Sequence, residues 1–202
     1  VLDPDEVMLM SKADLDNYFY RCRVPEEYWD YFGLPRVRVG DLGLSPSERM
    51  ELAPGMSDDE EVFPVLCVLP MGWSHSPLVA QEAHEGLLNR GCELTEESRL
   101  RDSRPWKGKK KVHFSYIDDT VIIVIGKRQE VETLKKECNR MMRGALEVYR
   151  GAGIPVKDEK VEQAALEMTV LGMRLDGELG FLGVGRERRR KLESAIRALL
   201  RQ

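Results

Sequence analysis

Two adjacent carboxylates lie between two apolar, β-branched segments, and this arrangement constrains the chain more than any other feature. Residues 112–116 (Val-His-Phe-Ser-Tyr) and 121–125 (Val-Ile-Ile-Val-Ile) have the composition of strands. Asp118 and Asp119 lie between them, and Asp favours turns over strands, so the segment predicts a hairpin with an acidic tip. Neighbouring anions repel each other, and carboxylate oxygens suit Mg²⁺, so this tip is a candidate cation site. A solvated Asp-Asp turn is the alternative for an isolated pair.

The segments around the hairpin predict an α+β fold, in which a mainly antiparallel sheet packs on two long helices. Residues 7–14 have the pattern of a buried strand that ends at Asp14. Residues 39–61 and 91–111 are rich in Gly, Pro and charge, and we expect long loops with mobile parts. The remaining predicted strands are 62–69, one or two within 164–175, and 181–182, and the predicted helices are a short one from Pro25 and longer ones over 76–89, 128–150 and 185–202.

Charge and cysteine usage narrow the class of protein. The net charge of −4 argues mildly against nucleic-acid binding, although basic residues cluster at 107–111 and 186–191. No apolar segment approaches the ~20 residues that span a bilayer, so we expect no membrane partner. The four cysteines are widely spaced and contain no CxxC pair, which predicts reduced thiols in an intracellular protein, nuclear or cytoplasmic.

Three motifs follow one another in a fixed order. Asp14 has an aromatic residue, Phe19, at the fifth position after it. Residues 69–81 (Leu-Pro-Met-Gly-Trp-Ser-His-Ser-Pro-Leu-Val-Ala-Gln) come next, and 116–119 (Tyr-Ile-Asp-Asp) complete the set. The ordered set resembles the palm of reverse transcriptases, the RNA-directed DNA polymerases, of retroelement type. Residues 152–160 resemble the Gly-and-Lys segment of that family, and 169–173 resemble its primer-gripping turn, so the resemblance covers about 7–183.

The resemblance implies a domain organisation. Residues 1–183 would form a palm with a ferredoxin-like core, and 184–202 would begin a thumb-like helix. In the family the fingers precede the first catalytic Asp, and only thirteen residues precede Asp14. We therefore expect the fingers to be largely absent, and we expect missing fingers, thumb or other domains of a larger polyprotein as partners.

The resemblance also assigns the catalytic centre. Asp14, Asp118 and Asp119 would be the catalytic carboxylates and would hold two Mg²⁺ ions, with Mn²⁺ as a substitute, and the Leu15 carbonyl would be an extra ligand. Asp119 would be bound less directly than Asp118, because successive side chains of a strand point to opposite faces.

The nucleotide would contact the segment after the first carboxylate. Backbone amides of Asp16, Asn17, Tyr18 and Phe19 could cradle the phosphates in a turn. By resemblance, the Phe19 ring lies under the sugar and excludes a 2′-hydroxyl, which favours deoxynucleoside triphosphates. RNA-dependent RNA polymerases, which share the palm, have Asp at that position.

Further residues would contact the nucleotide, the template and the primer. Gly72 would let the backbone approach the nucleotide, and Lys160 would donate a proton to pyrophosphate or contact phosphate, a surface lysine being the alternative. Met71 replaces the Gln that many family members have there, which puts a polar contact near the templating base in doubt. The residues assigned to an RNA or DNA template with its primer are Pro70, Met71, Trp73, Ser76, Tyr116, Leu171, Gly172, Met173, Arg186 and Arg189.

Three functions follow from these residues. The first is RNA-directed DNA polymerisation, with two-metal transfer of deoxynucleotides onto a primer 3′-hydroxyl. The second is a reverse-transcriptase-like module that binds nucleic acid or protein without polymerising. The third is an RNA polymerase or a template-independent nucleotidyl transferase on the same palm, against which Phe19 counts.

Overall fold

The structure is a computed structural model that describes residues 2–102, 104–106 and 108–200, and it divides into two compact units. The first unit holds the residues up to Asp16 and those from Gln81 onwards, and the second unit is Asn17–Ala80. The helices are α1 (Pro46–Leu52), α2 (Ser76–Gly91), α3 (Val131–Gly151) and α4 (Arg186–Leu199). The strands are β1 (Glu6–Asp14), β2 (Val37–Arg38), β3 (Glu61–Val62), β4 (Lys111–Tyr116), β5 (Asp119–Lys127), β6 (Glu162–Ala165), β7 (Glu167–Val170), β8 (Met173–Asp176) and β9 (Phe181–Val184). Short 3-10 helices cover Tyr18–Arg21, Glu26–Phe32, Val39–Leu42, Arg128–Glu130 and Asp158–Lys160.

The main sheet of the first unit has the strand order β4-β5-β1-β6, and its neighbouring strands are antiparallel. Helix α2 precedes β4 and helix α3 joins β5 to β6, so the chain follows a β-α-β-β-α-β path. This is the ferredoxin-like arrangement of an antiparallel sheet with two long helices. The fold predicted from the sequence is confirmed.

Strand β5 is buried on both faces, which explains why its sequence is apolar without alternation. Ile123 lies opposite Met10 of β1, and both belong to a core that includes Met168 of β7. On the other face Ile122 lies opposite Ser11, whose hydroxyl is 3.1 Å from the Cys138 sulfur of α3. A fully buried Ile or Val contributes ~1.5–3 kcal/mol, so the burial of β5 and β1 stabilises this unit.

A second sheet, with the order β7-β8-β9, is joined to β1 through the backbone of Gly177. The Met8 amide donates to the Gly177 carbonyl at 2.8 Å, and the Gly177 amide donates to the Leu166 carbonyl at 2.7 Å. A Cβ atom at Gly177 would lie 1.8 Å from the Met8 carbonyl oxygen, so only glycine fits. The strands predicted around Gly172 and the helix predicted from 185 are both present.

The second unit corrects the prediction of a loop over 39–61. The segment contains α1, which begins with a capping box: the Glu48 amide donates to the Ser45 hydroxyl, and the Ser45 amide donates to the Glu48 carboxylate. The Ser-x-x-Glu spacing followed by Pro46 is a recognisable helix start. The loop prediction does not include this helix, because seven residues are too few to show a clear helical periodicity.

The predicted strand over 62–69 is wrong. Only Glu61–Val62 pairs as a strand, with β2, and the rest makes single bridges at Val65 and Val68. Pro64 has no amide hydrogen to donate, so it interrupts the ladder that the apolar composition suggested.

Between α2 and β4, the described residues contain no helix or strand, as predicted for 91–111. The segment is tied to α2 by Arg99, whose guanidinium is 2.7 Å from the Glu85 carboxylate and 2.6 Å from that of Glu96. The described helices include none with the length and apolar character that crossing a membrane requires.

Candidate active site

Antiparallel pairing of β1 with β5 brings together carboxylates that are more than a hundred positions apart in the sequence. Asp14, the last residue of β1, lies directly opposite Asp119, the first residue of β5. The Leu15 amide donates to the Asp118 carbonyl at 2.9 Å, which places Asp118 beside the end of β1. Asp118 itself lies in the turn before β5, so the alternation argument that set Asp119 apart from Asp118 does not apply.

The electrostatics of Asp119 reflect this crowding of acids. Burial raises the pKa of Asp119, and the Asp118 and Asp14 carboxylates raise it further. The shift means that negative charge at this edge of the sheet is not fully compensated.

Asp14 differs, because two lysines bind it. Lys157 Nζ is 2.6 Å from Asp14 Oδ1, and Lys160 Nζ is 2.7 Å from Oδ2. Burial alone would raise the pKa of Asp14, but these two hydrogen bonds outweigh it and hold the pKa below its usual value. Lys160 was assigned from the sequence, whereas Lys157 was not.

Backbone pairing explains the position of Lys157. The Lys157 amide donates to the Asp14 carbonyl at 2.9 Å, and the Asp16 amide donates to the Pro155 carbonyl at 2.8 Å. The segment 155–157 thus continues the sheet alongside 14–16, and no local pattern in the sequence shows that pairing. The Asp16 amide is occupied by Pro155, which corrects its assignment to a phosphate.

The turn between β4 and β5 consists of two residues, Ile117 and Asp118, because Tyr116 pairs with Asp119. Ile117 has φ of 56°, which is unfavourable for a β-branched residue and costs about 1–3 kcal/mol. Helix α2 holds this conformation. The Ile117 amide donates to Gln81 Oε1 at 2.7 Å, and the Ile117 carbonyl accepts from His84 Nδ1 at 2.7 Å.

His84 is fully buried and joins the turn to α3. Its Nε2 is 2.7 Å from the Tyr149 hydroxyl and 3.0 Å from the Thr120 hydroxyl, and these two oxygens are 2.6 Å apart. Burial lowers the pKa of His84 to about 4, so the ring is neutral near pH 7. The sequence places His84 within the predicted helix over 76–89, but it does not show that the side chain is buried.

Among the residues assigned to the nucleotide, Asn17, Tyr18, Phe19 and Gly72 belong to the second unit. Asn17 has φ of 51° and precedes a 3-10 helix that contains Tyr18 and Phe19. Tyr18 is buried and its hydroxyl donates to the Ala80 carbonyl at 3.2 Å, whereas Phe19 is half-buried. Gly72 has φ of 105°, a value that favours glycine.

The predicted turn before α2 is present in the same unit. The Ser76 hydroxyl donates to the Pro70 carbonyl at 2.7 Å and closes the turn, and the Trp73 ring packs edge-on against Phe32 at 5.2 Å. Met71 is exposed. These contacts define the shape of the turn before α2.

Of the other residues assigned to the template and primer, Tyr116 is exposed at the end of β4. Leu171 and Gly172 form the two-residue turn between β7 and β8, and Met173 begins β8. Arg189 is exposed on α4 and pairs with Glu193 at 3.0 Å. Arg186 begins α4, but its side chain lies outside the described part, as does all of Lys107.

Within the described ranges, no group of three or more His, Cys, Asp or Glu side chains is arranged so that it could hold a metal ion. Lysine ammoniums supply the positive charge next to Asp14.

Comparison with known proteins identifies the family. The model of the family described as "Reverse transcriptase (RNA-dependent DNA polymerase)" matches residues 4–175. The match spans most of the chain, so the protein belongs to the reverse transcriptase family. The resemblance that the ordered motifs predicted is confirmed at this level. A search of curated proteins found no match.

Solved structures show the same fold. Foamy viral protease-reverse transcriptase in complex with double-stranded DNA is 17% identical and covers 92% of this chain with a TM-score of 0.56. The same viral protein solved as a dRH form with double-stranded DNA gives 17%, 92% and 0.55, and its complex with an RNA/DNA hybrid gives 17%, 92% and 0.56. The protein spans 28%, 24% and 18% of those three chains.

Proposed function

We propose that the protein catalyses RNA-directed DNA synthesis, adding deoxynucleotides to a primer 3′-hydroxyl with release of pyrophosphate. One observation carries the proposal: Asp14 lies opposite Asp119, and the Asp118 carbonyl accepts from the amide of the residue after β1, in a chain of the reverse transcriptase family. The membership supports a polymerase-type function in general, and the carboxylates supply its chemistry.

By its chemistry the donor set suits divalent cations, although its side chains are not arranged as a metal site in the part of the chain that the structure describes. Carboxylate oxygens of Asp14, Asp118 and Asp119 are hard ligands that suit Mg²⁺ or Mn²⁺, and the Leu15 carbonyl would add a further oxygen. Burial raises the pKa of Asp119 most, and the Asp118 and Asp14 carboxylates raise it further; a bound cation would relieve the part that comes from these two carboxylates. When bound, two such ions would activate the primer hydroxyl and neutralise the leaving pyrophosphate.

Lys157 and Lys160 would have a second role in this reaction. Each places an ammonium within 2.7 Å of the Asp14 carboxylate. A bound cation would compete for that carboxylate, and the released ammoniums would then pair with phosphate oxygens of the nucleotide. In this role Lys160 is the proton donor to pyrophosphate or a phosphate contact.

Further residues are assigned to the nucleotide and to the nucleic acid. In the second unit we assign Asn17, Tyr18, Phe19 and Gly72 to the deoxynucleoside triphosphate, with the Phe19 ring excluding a 2′-hydroxyl. The foamy viral relatives were solved with double-stranded DNA and with an RNA/DNA hybrid, which supports a primed template as partner. The residues assigned to it are Pro70, Met71, Trp73, Ser76, Tyr116, Leu171, Gly172, Met173, Arg186 and Arg189.

A specific observation favours a second candidate, a binding module that does not polymerise. Two lysines already neutralise Asp14, and an arrangement built only for that purpose would need no cation. This candidate predicts nucleic-acid or protein binding without incorporation of nucleotides.

The test gives the protein a primed RNA template with Mg²⁺ and either deoxynucleotides or ribonucleotides. We expect extension with deoxynucleotides and at least ~10-fold less with ribonucleotides, which corresponds to ~1.4 kcal/mol of discrimination. Equal extension with deoxynucleotides and with ribonucleotides would contradict the proposed role of Phe19 in excluding a 2′-hydroxyl.

Calorimetric titration with Mn²⁺ separates the two candidates. We expect Lys157→Ala to raise Mn²⁺ affinity, since it frees the carboxylate of Asp14, and Asp14→Asn to abolish binding. Lys135→Ala is the matched control, because Lys135 makes an exposed ion pair with Glu132 on α3. A folded protein that neither extends a primer nor binds Mn²⁺ would contradict the polymerase proposal and favour the binding module.

A further inference from the structure

Helix α2 forms hydrogen bonds with both backbone polar groups of Ile117, the residue with the unfavourable φ in the acidic turn. The Ile117 amide donates to Gln81, and its carbonyl accepts from His84 Nδ1, each at 2.7 Å. A carbonyl oxygen can only accept, so the ring proton of neutral His84 must be on Nδ1. Helix α2 therefore fixes the peptide groups on both sides of Ile117, directly before Asp118.

The opposite ring nitrogen of His84 is also engaged. With the proton on Nδ1, Nε2 is an acceptor, and the Tyr149 and Thr120 hydroxyls lie 2.7 and 3.0 Å from it. One hydroxyl donates to the ring, and the two hydroxyls bond each other at 2.6 Å. All three side chains have 0% relative exposure, so water does not compete for these bonds.

We propose that His84, with its tautomer set by Tyr149 and Thr120, is a positioning residue that holds the carboxylate of Asp118 in place against β1. This inference rests on the proposed polymerase function, in which Asp118 is catalytic. The network links α2, α3 and β5 to the turn, and the residues that form it all belong to the first unit. None of its three side chains belongs to the catalytic set.

Backbone hydrogen bonding connects the turn that His84 contacts to the end of β1, where Asp14 lies. The Asp118 carbonyl accepts from the Leu15 amide at 2.9 Å, and Leu15 follows Asp14. When the His84 bond to Ile117 is lost, the strained φ of Ile117 is free to relax, and the peptide that carries the Asp118 carbonyl turns with it. The Leu15 amide thus reports the position of the turn.

The chain offers a matched comparison in a second buried histidine. His113 of β4 is also fully buried, and its Nδ1 is 3.1 Å from the Ser98 hydroxyl. This pair lies at a different part of β4 and does not contact the turn. If any loss of a buried histidine–hydroxyl bond loosens the site, Ser98→Ala will act like the His84 variants.

Two substitutions of His84 separate its two nitrogens. The amide nitrogen of Asn branches at the position of Nδ1, so His84→Asn can keep the bond to Ile117. The amide of Gln extends to the position of Nε2, so His84→Gln can keep the bond to Tyr149 and lose the one to Ile117. The proposal predicts that Asn is tolerated and Gln is not, whereas simple packing predicts the same loss for both.

The first readout is amide hydrogen exchange at Leu15 and Ile117 in the folded protein without substrate. We expect His84→Gln to speed exchange there by roughly 10-fold, the effect of losing one hydrogen bond. His84→Asn and Ser98→Ala should stay within ~2-fold of the original protein. Should His84→Gln fail to fold, Tyr149→Phe carries the test, with an expected increase of ~3-fold at the same two amides.

The second readout is the rate of primer extension at saturating nucleotide. We expect His84→Gln to lower kcat by ~10–100-fold with little change in the KM for deoxynucleotide, because a small misplacement of a catalytic group acts on the chemical step. We expect His84→Asn to keep most of the kcat of the original protein.

The exchange measurement tests the positioning role, and the extension measurement tests the polymerase function. Unchanged exchange at Leu15 in His84→Gln, or equal effects of Asn and Gln, would overturn the positioning role. A protein that shows the expected exchange pattern but no extension would contradict the polymerase function and leave the network confirmed.

Discussion

The first unit contains two hairpins that turn with two residues each, and they reach the same sharp reversal by different means. The turn between β7 and β8 has φ of 48° at Leu171 and 76° at Gly172, the sign pattern of a type I′ turn. The turn between β4 and β5 has φ of 56° at Ile117 alone, the sign pattern of a type II′ turn. Such a turn normally has glycine where this chain has isoleucine.

The difference shows where each conformation comes from. Gly172 accepts its backbone angle at no steric cost, whereas the leucine before it does not, so the sequence favours the β7–β8 turn at one of its two positions. The acidic turn has no glycine, and the angle of Ile117 depends on Gln81 and His84 of α2. Strain held by surrounding contacts is typical of functional sites, and it appears at the turn that carries Asp118.

The largest difference between the turns should be chemical. Asp118→Asn should lower primer extension by at least ~10³-fold, because a ligand that stabilises several kcal/mol of developing charge is lost. The melting temperature should change little, since this carboxylate makes no hydrogen bond or ion pair with the residues that the structure describes. An Asp118→Asn protein that retains a tenth of the activity would show that the acidic turn is not catalytic.

Acid should act on the first unit through its buried histidines. Burial lowers the pKa of His84 to about 4, with Glu85 and Arg99 as charged neighbours, and it lowers the pKa of His113 to about 4, with Arg99 and Glu96 nearby. Unfolded histidine has a pKa near 6.5, so below that value the unfolded chain binds protons that the folded chain does not. The free energy of unfolding should therefore fall between pH 6.5 and 4, by up to about 3 kcal/mol for each histidine.

Urea titrations at several pH values would measure this slope. His84→Asn should remove about half of it, while Ser98→Ala should leave the share of His84 unchanged. A stability that is flat from pH 6.5 to 5 would mean that neither ring is buried in its neutral form.

The β7–β8 turn should be sensitive to a side chain on its glycine. Gly172→Ala places a Cβ at φ of 76° and 2.6 Å from the Arg188 guanidinium, and the side chain of Arg188 can move away while the backbone cannot. We expect a loss of about 1–2 kcal/mol in the free energy of unfolding. A neutral result in thermal unfolding would mean that this turn is not favoured by its own sequence.

The smallest effect should be the reverse substitution in the acidic turn. Ile117→Gly relieves the unfavourable φ but adds flexibility to the unfolded chain, so we expect a gain of at most about 1 kcal/mol. Primer extension should fall at the same time, because the turn no longer has a single conformation. A clear loss of stability would show that Ile117 contributes more by packing than it costs in strain.

Much of the fold could be predicted from the sequence, because several strands and helices have recognisable local sequence patterns. The apolar run that ends at Asp14 and the segments on either side of Asp118 are strands, and the helix predicted over 128–150 is α3. The three motifs also occur in the order that the family requires. The resemblance put Asp14, Asp118 and Asp119 in one catalytic centre, and the structure places Asp14 directly opposite Asp119.

The features that were not predicted correctly have one physical cause. Each depends on contacts between distant segments, which local composition does not show. Residues 62–69 are apolar enough for a strand, but Pro64 removes a donor. Lys157 reaches Asp14 only because segment 155–157 pairs with 14–16, and His84 is buried only because α2 and α3 enclose it. In each case the deciding partner lies far away in the sequence.

The pairing of β1 with β5 also has a consequence for synthesis of the protein. β1 is made before its partner in the centre of the sheet, which emerges only after more than a hundred further residues. Contacts of such high sequence separation fold slowly, and an unpaired apolar strand is prone to aggregate while it waits. A ribosome-bound chain that stops before Lys127 should therefore depend on chaperones, and the carboxylates should first meet when β5 leaves the exit tunnel.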